Sequence, residues 1–178
     1  MNRLILYRQI LLISLLVSYG VGKAQSETTS YETCTEDKNM IIGKTNLEQL
    51  TQNVEFWSEY LAHYASYSLD EKKLDEISNI LVDRNIRIFS VIGTWCGDTK
   101  EQFPVFQKIL DHLQLKNITI EYIGVNRDKL AGETDISALN ILFVPTFIFY
   151  ENFQEFGRII ETPEETMEED ILRIITKK

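Results

Sequence analysis

The run Ile86-Arg87-Ile88-Phe89-Ser90-Val91-Ile92 constrains the fold more than any other part of the chain, being short, β-branched and largely apolar, and it stops at Gly93. A strand of that kind is buried on both faces and belongs at the centre of a sheet, paired in parallel. The period then changes. Phe103, Phe106, Leu110 and Leu113 trace a helix, and Ile118-Thr119-Ile120-Glu121-Tyr122-Ile123-Gly124-Val125 is a second strand, so the three segments make a βαβ unit. Asp135 to Asn140 is expected to form one short helix. Thr146-Phe147-Ile148-Phe149-Tyr150 and Glu155-Phe156-Gly157-Arg158-Ile159-Ile160, joined by a turn-like stretch, read as an antiparallel hairpin. Thr162, Pro163 and Glu165 supply the cap, first-turn proline and capping-box partner of a last helix bearing Met167, Ile171, Ile174 and Ile175.

Upstream of the central strand, Thr45 with Glu48 forms a capping-box pattern. Leu47, Leu50, Val54, Trp57, Leu61 and Tyr64 follow at spacings of three and four, with Phe56 and Tyr60 widening the face, which predicts one long amphipathic helix. Ser68 with Glu71 repeats the capping signal for a helix carrying Leu74, Ile77 and Leu81 that ends near Asp83-Arg84-Asn85. The class is α/β: a central mixed sheet flanked by helices, one domain over 44–178, with an extra N-terminal amphipathic helix in 44–68.

Arg3 and Arg8 precede an apolar run from Ile10 to Val21 that closes at Gly22-Lys23-Ala24. This reads as a cleavable export signal over residues 1–24, and the run is shorter than the roughly 20 residues a spanning helix needs. Cys34 lies too far downstream to be the acylated cysteine of a lipoprotein, so no stable membrane insertion is expected after cleavage. Residues 25–43, polar and without sustained periodicity, read as a flexible arm. The whole chain carries 18 basic and 27 acidic residues. Removing 1–24 deletes Arg3, Arg8 and Lys23 but no acid, so the mature form is more acidic still. Such a charge opposes binding to phosphate backbones and anionic lipid, which argues against nucleic acid as a partner. Two cysteines allow one disulfide at most and exclude a disulfide scaffold.

The chemistry gathers where the central strand ends, at Gly93-Thr94-Trp95-Cys96-Gly97-Asp98-Thr99. A cysteine between the carboxyl end of a strand and the first turn of a helix meets unpaired N–H groups and the positive end of the helix dipole, which favour thiolate over thiol. Cys96 is therefore a candidate nucleophile. Pro104 lies eight residues on, inside the helix, where it removes a backbone hydrogen bond. Val144-Pro145-Thr146 stands just before the hairpin, where a cis proline could face the cysteine.

Taken in this order, Trp95-Cys96-Gly97, Pro104 and Val144-Pro145-Thr146, followed by a hairpin and a final helix, resemble the thioredoxin-like superfamily over about Asp70 to Lys178. With the export signal and the extra helix, the chain looks like an exported thioredoxin-family protein of bacteria, periplasmic in a Gram-negative host and otherwise secreted. The resemblance implies a thioredoxin-like fold, with Cys96 at the attack position, Pro145 beside it, and Trp95, Gly97, Val144, Pro145 and Thr146 lining the substrate groove. It implies thiol-disulfide exchange, a part in cell redox homeostasis, and protein thiols, disulfides or low-molecular-weight thiols as partners.

The sequence departs from that pattern where the second cysteine of the Cys-x-x-Cys pair would stand. Thr99 occupies that place and cannot resolve a mixed disulfide. Ser90 replaces the buried acid that thioredoxins often carry six residues before the nucleophile. Asp98 can serve as a base toward the thiol, although its charge repels a thiolate; with Glu101 three residues on, it can equally be a plain helix cap. Thr99 is a cap or a hydrogen-bond donor to a nearby thiolate. The remaining cysteine, Cys34, stays open between resolving a mixed disulfide at Cys96, pairing with it permanently, and acting as a free or partner-directed thiol.

Other chemistries find little support. His63 and His112 have no metal-ligand partner at suitable spacing, Lys100 stands where a copper-delivering relative would carry its second cysteine, and Gly93 replaces the threonine of a peroxiredoxin. No metal or cofactor is expected, and a monomer is favoured. The expectation is a monothiol thiol-disulfide oxidoreductase acting through Cys96, with Asp98 and Thr99 beside it. The alternative is a redox-inactive module that binds extended peptides around Trp95 and Pro145.

Overall fold

The computed structural model describes residues 39–177. Eleven elements follow in chain order: β1 (Gly43–Thr45), α1 (Leu47–Leu50), α2 (Val54–Ser66), α3 (Glu71–Leu81), β2 (Ile86–Ile92), α4 (Gly97–Leu113), β3 (Ile118–Gly124), a 3-10 turn (Ser137–Leu139), β4 (Thr146–Glu151), β5 (Gln154–Ile160) and α5 (Met167–Thr176). The strands form one sheet in the order β1-β3-β2-β4-β5. β2 runs parallel to β3, with Ile86 opposite Ile118 and Ile92 opposite Gly124. The β1–β3, β2–β4 and β4–β5 pairs are antiparallel. The fold is thioredoxin-like, and the strand that the sequence places at the centre is central.

Because side chains alternate along a strand, β2 feeds two cores. Ile86, Ile88 and Ile92 join Phe147, Phe149 and the buried residues of α2, α3, α4 and α5, among them Phe56, Ile77, Phe106 and Ile171. Val91 joins Ile123, Ile148, Val125, Ala131, Leu139 and Val144 in a second, smaller core. This one is closed by the β3–β4 connection and takes no residue from the four longer helices. Asp135 Oδ1 accepts from Ser137 N at 2.9 Å, and Asn140 turns left-handed at φ 50°, so the helix expected over 135–140 is a single 3-10 turn.

The long helix expected from Thr45 is two helices. Asn46 caps α1 through Gln49 N, and Asn53 caps α2 through Phe56 N at 3.1 Å, so the chain restarts its helix within the stretch read as continuous. The restart rotates the buried face. Phe56 and Tyr60 are buried, while Val54 and Leu61, expected on that face, are 78% and 50% exposed. Phe56 and Tyr60 pack on Phe103 of α4, at ring separations of 6.3 and 5.6 Å. Two further caps also differ from expectation. Asp70, not Ser68, accepts from Lys73 N to start α3, and Thr166, not Thr162, accepts from Glu169 N to start α5. Thr45 lies in β1, a strand that the sequence reading does not contain.

Candidate functional site

Cys96 is the N-cap of the 17-residue α4, with extended backbone (φ −91°, ψ 131°) and a side chain that makes no capping bond. Its own N–H donates to Gly93 O at 2.8 Å, and its carbonyl accepts from Lys100 N at 3.2 Å. A half-buried sulfur therefore stands at the positive dipole end of a long helix, whose first amides have no partner within the helix. The Cys96 Sγ lies 3.2 Å from Val144 O, to which the thiol donates, and 3.9 Å from Asp98 Oδ2. The Val144–Pro145 peptide is cis.

Around the sulfur the expected residues separate into exposed and buried groups. Gly97 is exposed, and Trp95 and Asp98 are half-buried. Val144, Pro145 and Thr146 are buried, so what they turn toward the sulfur is the Val144 carbonyl. Thr146 Oγ1 donates to Phe143 O at 2.7 Å, and Pro145 O accepts from Glu161 N at 2.7 Å. Thr99 is fully buried, and its hydroxyl accepts from Gly93 N at 3.3 Å, bracing the turn that carries Cys96. Ser90 is buried with no hydrogen-bond partner for its hydroxyl among the described residues. Pro104 sits buried inside α4, which runs through it unbroken. Lys100 leaves the site altogether, reaching Glu55 at 3.0 Å and Glu59 at 2.8 Å on α2. His112 meets Glu71 on the surface, and among the described residues no three His, Cys, Asp or Glu side chains come together as a metal site would require. Cys34 lies outside the described residues.

Residues 43–173 match the thioredoxin family model, a span that contains every residue of the site just described. The chain belongs to the thioredoxin family. A thioredoxin of the fungus Malassezia sympodialis is 26% identical over 87 residues, covering 48% of this chain and 78% of that one. Thioredoxin H9 of Arabidopsis thaliana is 25% identical over 101 residues, covering 57% and 68%. A Pseudomonas aeruginosa protein of unknown function superposes with a TM-score of 0.51 at 16% identity, over 68% of this chain and 82% of its own, a likeness of fold.

This thioredoxin-family site also holds residues that the sequence reading passed over. Trp95 Nε1 donates to Val125 O at 2.9 Å, which fixes the indole against the end of β3. Gly93 lies beneath the ring: a Cβ there would fall 2.8 Å from Trp95 Cε2. The Arg127 guanidinium stands 4.9 Å from the ring centroid and Lys129 Nζ 5.8 Å. The available signal was two cations immediately after a strand whose carboxyl end, like that of β2, faces the site. Ile41 N donates to Thr94 Oγ1 at 3.3 Å, tying the segment before β1 to the same turn.

Proposed function

We propose that this protein carries out thiol-disulfide exchange through Cys96 as its single nucleophile, and that it acts after export. The observation that supports it is a half-buried cysteine sulfur at the N-cap of a 17-residue helix, facing the backbone carbonyl of Val144. In the reaction the Cys96 thiolate attacks one sulfur of a disulfide. A bond forms between Cys96 and that sulfur, the disulfide bond breaks, and the second sulfur leaves as a thiolate that takes up a proton. Asp98, 3.9 Å from the sulfur, is the candidate acceptor for the thiol proton. Thr99 cannot close the cycle, so a second thiol must attack the mixed disulfide and release Cys96. That thiol is an external one or Cys34.

The test uses single Cys34→Ser and Cys96→Ser variants with mass-spectrometric assignment of the modified sulfur. The expected result is a Cys96 that alkylates at neutral pH at least tenfold faster in the folded chain than in denaturant and forms a mixed disulfide with a model disulfide. A folded-state rate no higher than the denatured rate overturns the reading. The proposed export is checked by sequencing the N-terminus of the protein recovered from outside the cytoplasm, expected to begin near Gln25.

A second reading is favoured by Leu142 and Phe143, exposed immediately before Val144: a module that holds extended peptides without chemistry. Partner binding unchanged in Cys96→Ser would support it.

A further inference from the structure

We infer that the chain pairs with a second copy of itself through the face of the sheet opposite its four longer helices, Phe153 of each copy seating on the other. Side chains alternate along a strand, so Arg87, Phe89 and Val91 share that face of β2. Antiparallel pairing sets Tyr150, Ile148 and Thr146 of β4 beside them. Burial falls away in one direction. Val91 and Ile148 are fully buried in the smaller core, Phe89 and Tyr150 are half-buried, and Arg87 is exposed. Where that core runs out, Phe89 and Tyr150 meet edge to face at 5.4 Å and, with Leu139 and Phe153, line a recess of about 430 Å³.

Phe153 is 93% exposed. It is the second of the two residues that join β4 to β5, and both have left-handed backbone, Asn152 at φ 51° and Phe153 at φ 64°. Asparagine followed by glycine suits such a turn, whereas a bulky second residue is strained. Here the strained residue is an aromatic ring that its own chain leaves in water, which marks it for a contact outside the molecule.

Two features name the occupant. A projecting ring and an aromatic-lined recess on one surface are what a two-fold contact requires, because each copy then offers both. Charge points the same way. The net charge of −9 makes two copies repel, so they can meet only where that charge is absent. Arg87 is the one charged residue lining the recess, and Glu121 beside it answers two cations, Arg87 at 2.8 Å and Lys44 at 3.3 Å. Where the face continues onto β5, Glu155 is paired with Arg158. This part of the surface thus carries no net negative charge. The recess lies at the start of β2 and Cys96 follows its end, so the pairing and the thiol chemistry stand independently. A dimer replaces the monomer favoured by the sequence reading.

The experiment is sedimentation velocity on the Cys34→Ser chain in reductant, so that no disulfide links the copies. At about 100 μM the unsubstituted face is expected to give mostly dimer, which dissociates on dilution. Phe153→Gly removes the ring and relieves the turn, so the chain keeps its circular dichroism while its dissociation constant rises at least tenfold. Phe153→Tyr keeps the ring and keeps the dimer. A monomer at every concentration overturns the pairing and leaves the face to a partner of another kind. A dimer of equal strength in Phe153→Gly overturns it too, because the copies then meet elsewhere. Loss of the dimer in both variants also overturns it, since a ring at this position would not be what joins the copies.

Discussion

Thr99 shows how one side chain can keep an architecture while removing a reaction. It fills the first turn of α4 where the family's second cysteine would stand, fully buried, with its hydroxyl accepting from Gly93 N. The turn that aims Cys96 is thus held by an oxygen that cannot form a disulfide. Thr99→Cys, on the Cys34→Ser background, is expected to produce a dithiol that oxidises to a bond between residues 96 and 99, seen as a mass loss of two hydrogens and the disappearance of both alkylatable thiols. Exchanging the hydroxyl for a poorer acceptor should lower stability by about 1 kcal/mol. Thiols at 96 and 99 that remain alkylatable after oxidation would count against the geometry. At this scale the sequence marked Cys96, Thr99 and Pro145 as one constellation, because each is tied to a local motif, but it read Thr99 as a cap or a donor to the thiolate, whereas its hydroxyl accepts from Gly93 N and the cap is Cys96. It was silent on the Val144 carbonyl as the sulfur's partner and on Arg127 and Lys129, because those contacts join segments remote in the chain.

Among the elements, β1 has the least visible sequence signal and a large structural consequence. Three residues cannot display a period of two, so Gly43–Thr45 looks like the end of a polar arm until it is seen paired with Tyr122–Gly124 of β3. The pairing depends on Gly124, where a Cβ would lie 2.0 Å from the backbone carbonyl oxygen of Ile41. Backbone cannot rotate away as a side chain can. Gly124→Ala is therefore expected to cost about 3 kcal/mol and to detach the 39–45 segment, read as a lower urea midpoint together with new proteolytic cleavage before Leu47. An unchanged midpoint would show that β1 contributes nothing to the fold. The legible elements were those with sustained apolar patterns: β2 matches its expected bounds, although Arg87 is exposed on a strand expected to be buried on both faces, and β3, β4, β5 and α3 match theirs within a residue or two. The restart at Asn53 was hidden because an asparagine in the middle of a helical pattern carries no mark that distinguishes a cap from an exposed position.

For the whole molecule, charge and burial set opposite limits on the pH range of stability. Burial, aided by Asp111, pushes Tyr64 and Tyr122 up to about 12, and burial pushes Tyr60 and Tyr67 higher still. The folded chain holds these protons more tightly than the unfolded one, so their contribution is complete below about pH 10 and is lost as pH climbs toward the folded values. On the acid side, Arg84 holds Glu151 below the usual carboxylate range through a two-pronged pair at 3.0 and 2.9 Å. That contribution is present above the ordinary glutamate range and disappears as pH falls through the lowered value. Urea midpoints taken across pH should form a plateau with a decline above about 10 and a second decline in acid, the latter reduced in Glu151→Gln. An alkaline limb that stays flat to pH 12 would contradict the tyrosine assignment.

The division of the sheet into two cores has a consequence for time as well as for shape. Cys96 caps a helix whose buried residues belong to the larger core, but its side chain packs against the smaller one, and the carbonyl that accepts from its thiol ends a connection whose regular structure is one 3-10 turn and an isolated bridge between Ala131 and Thr134. Segments of that kind open by local fluctuation at a fraction of the free energy needed to unfold the domain. Opening of that connection, a stretch with no cysteine of its own, is therefore the motion that would take the acceptor away from the only thiol among the described residues.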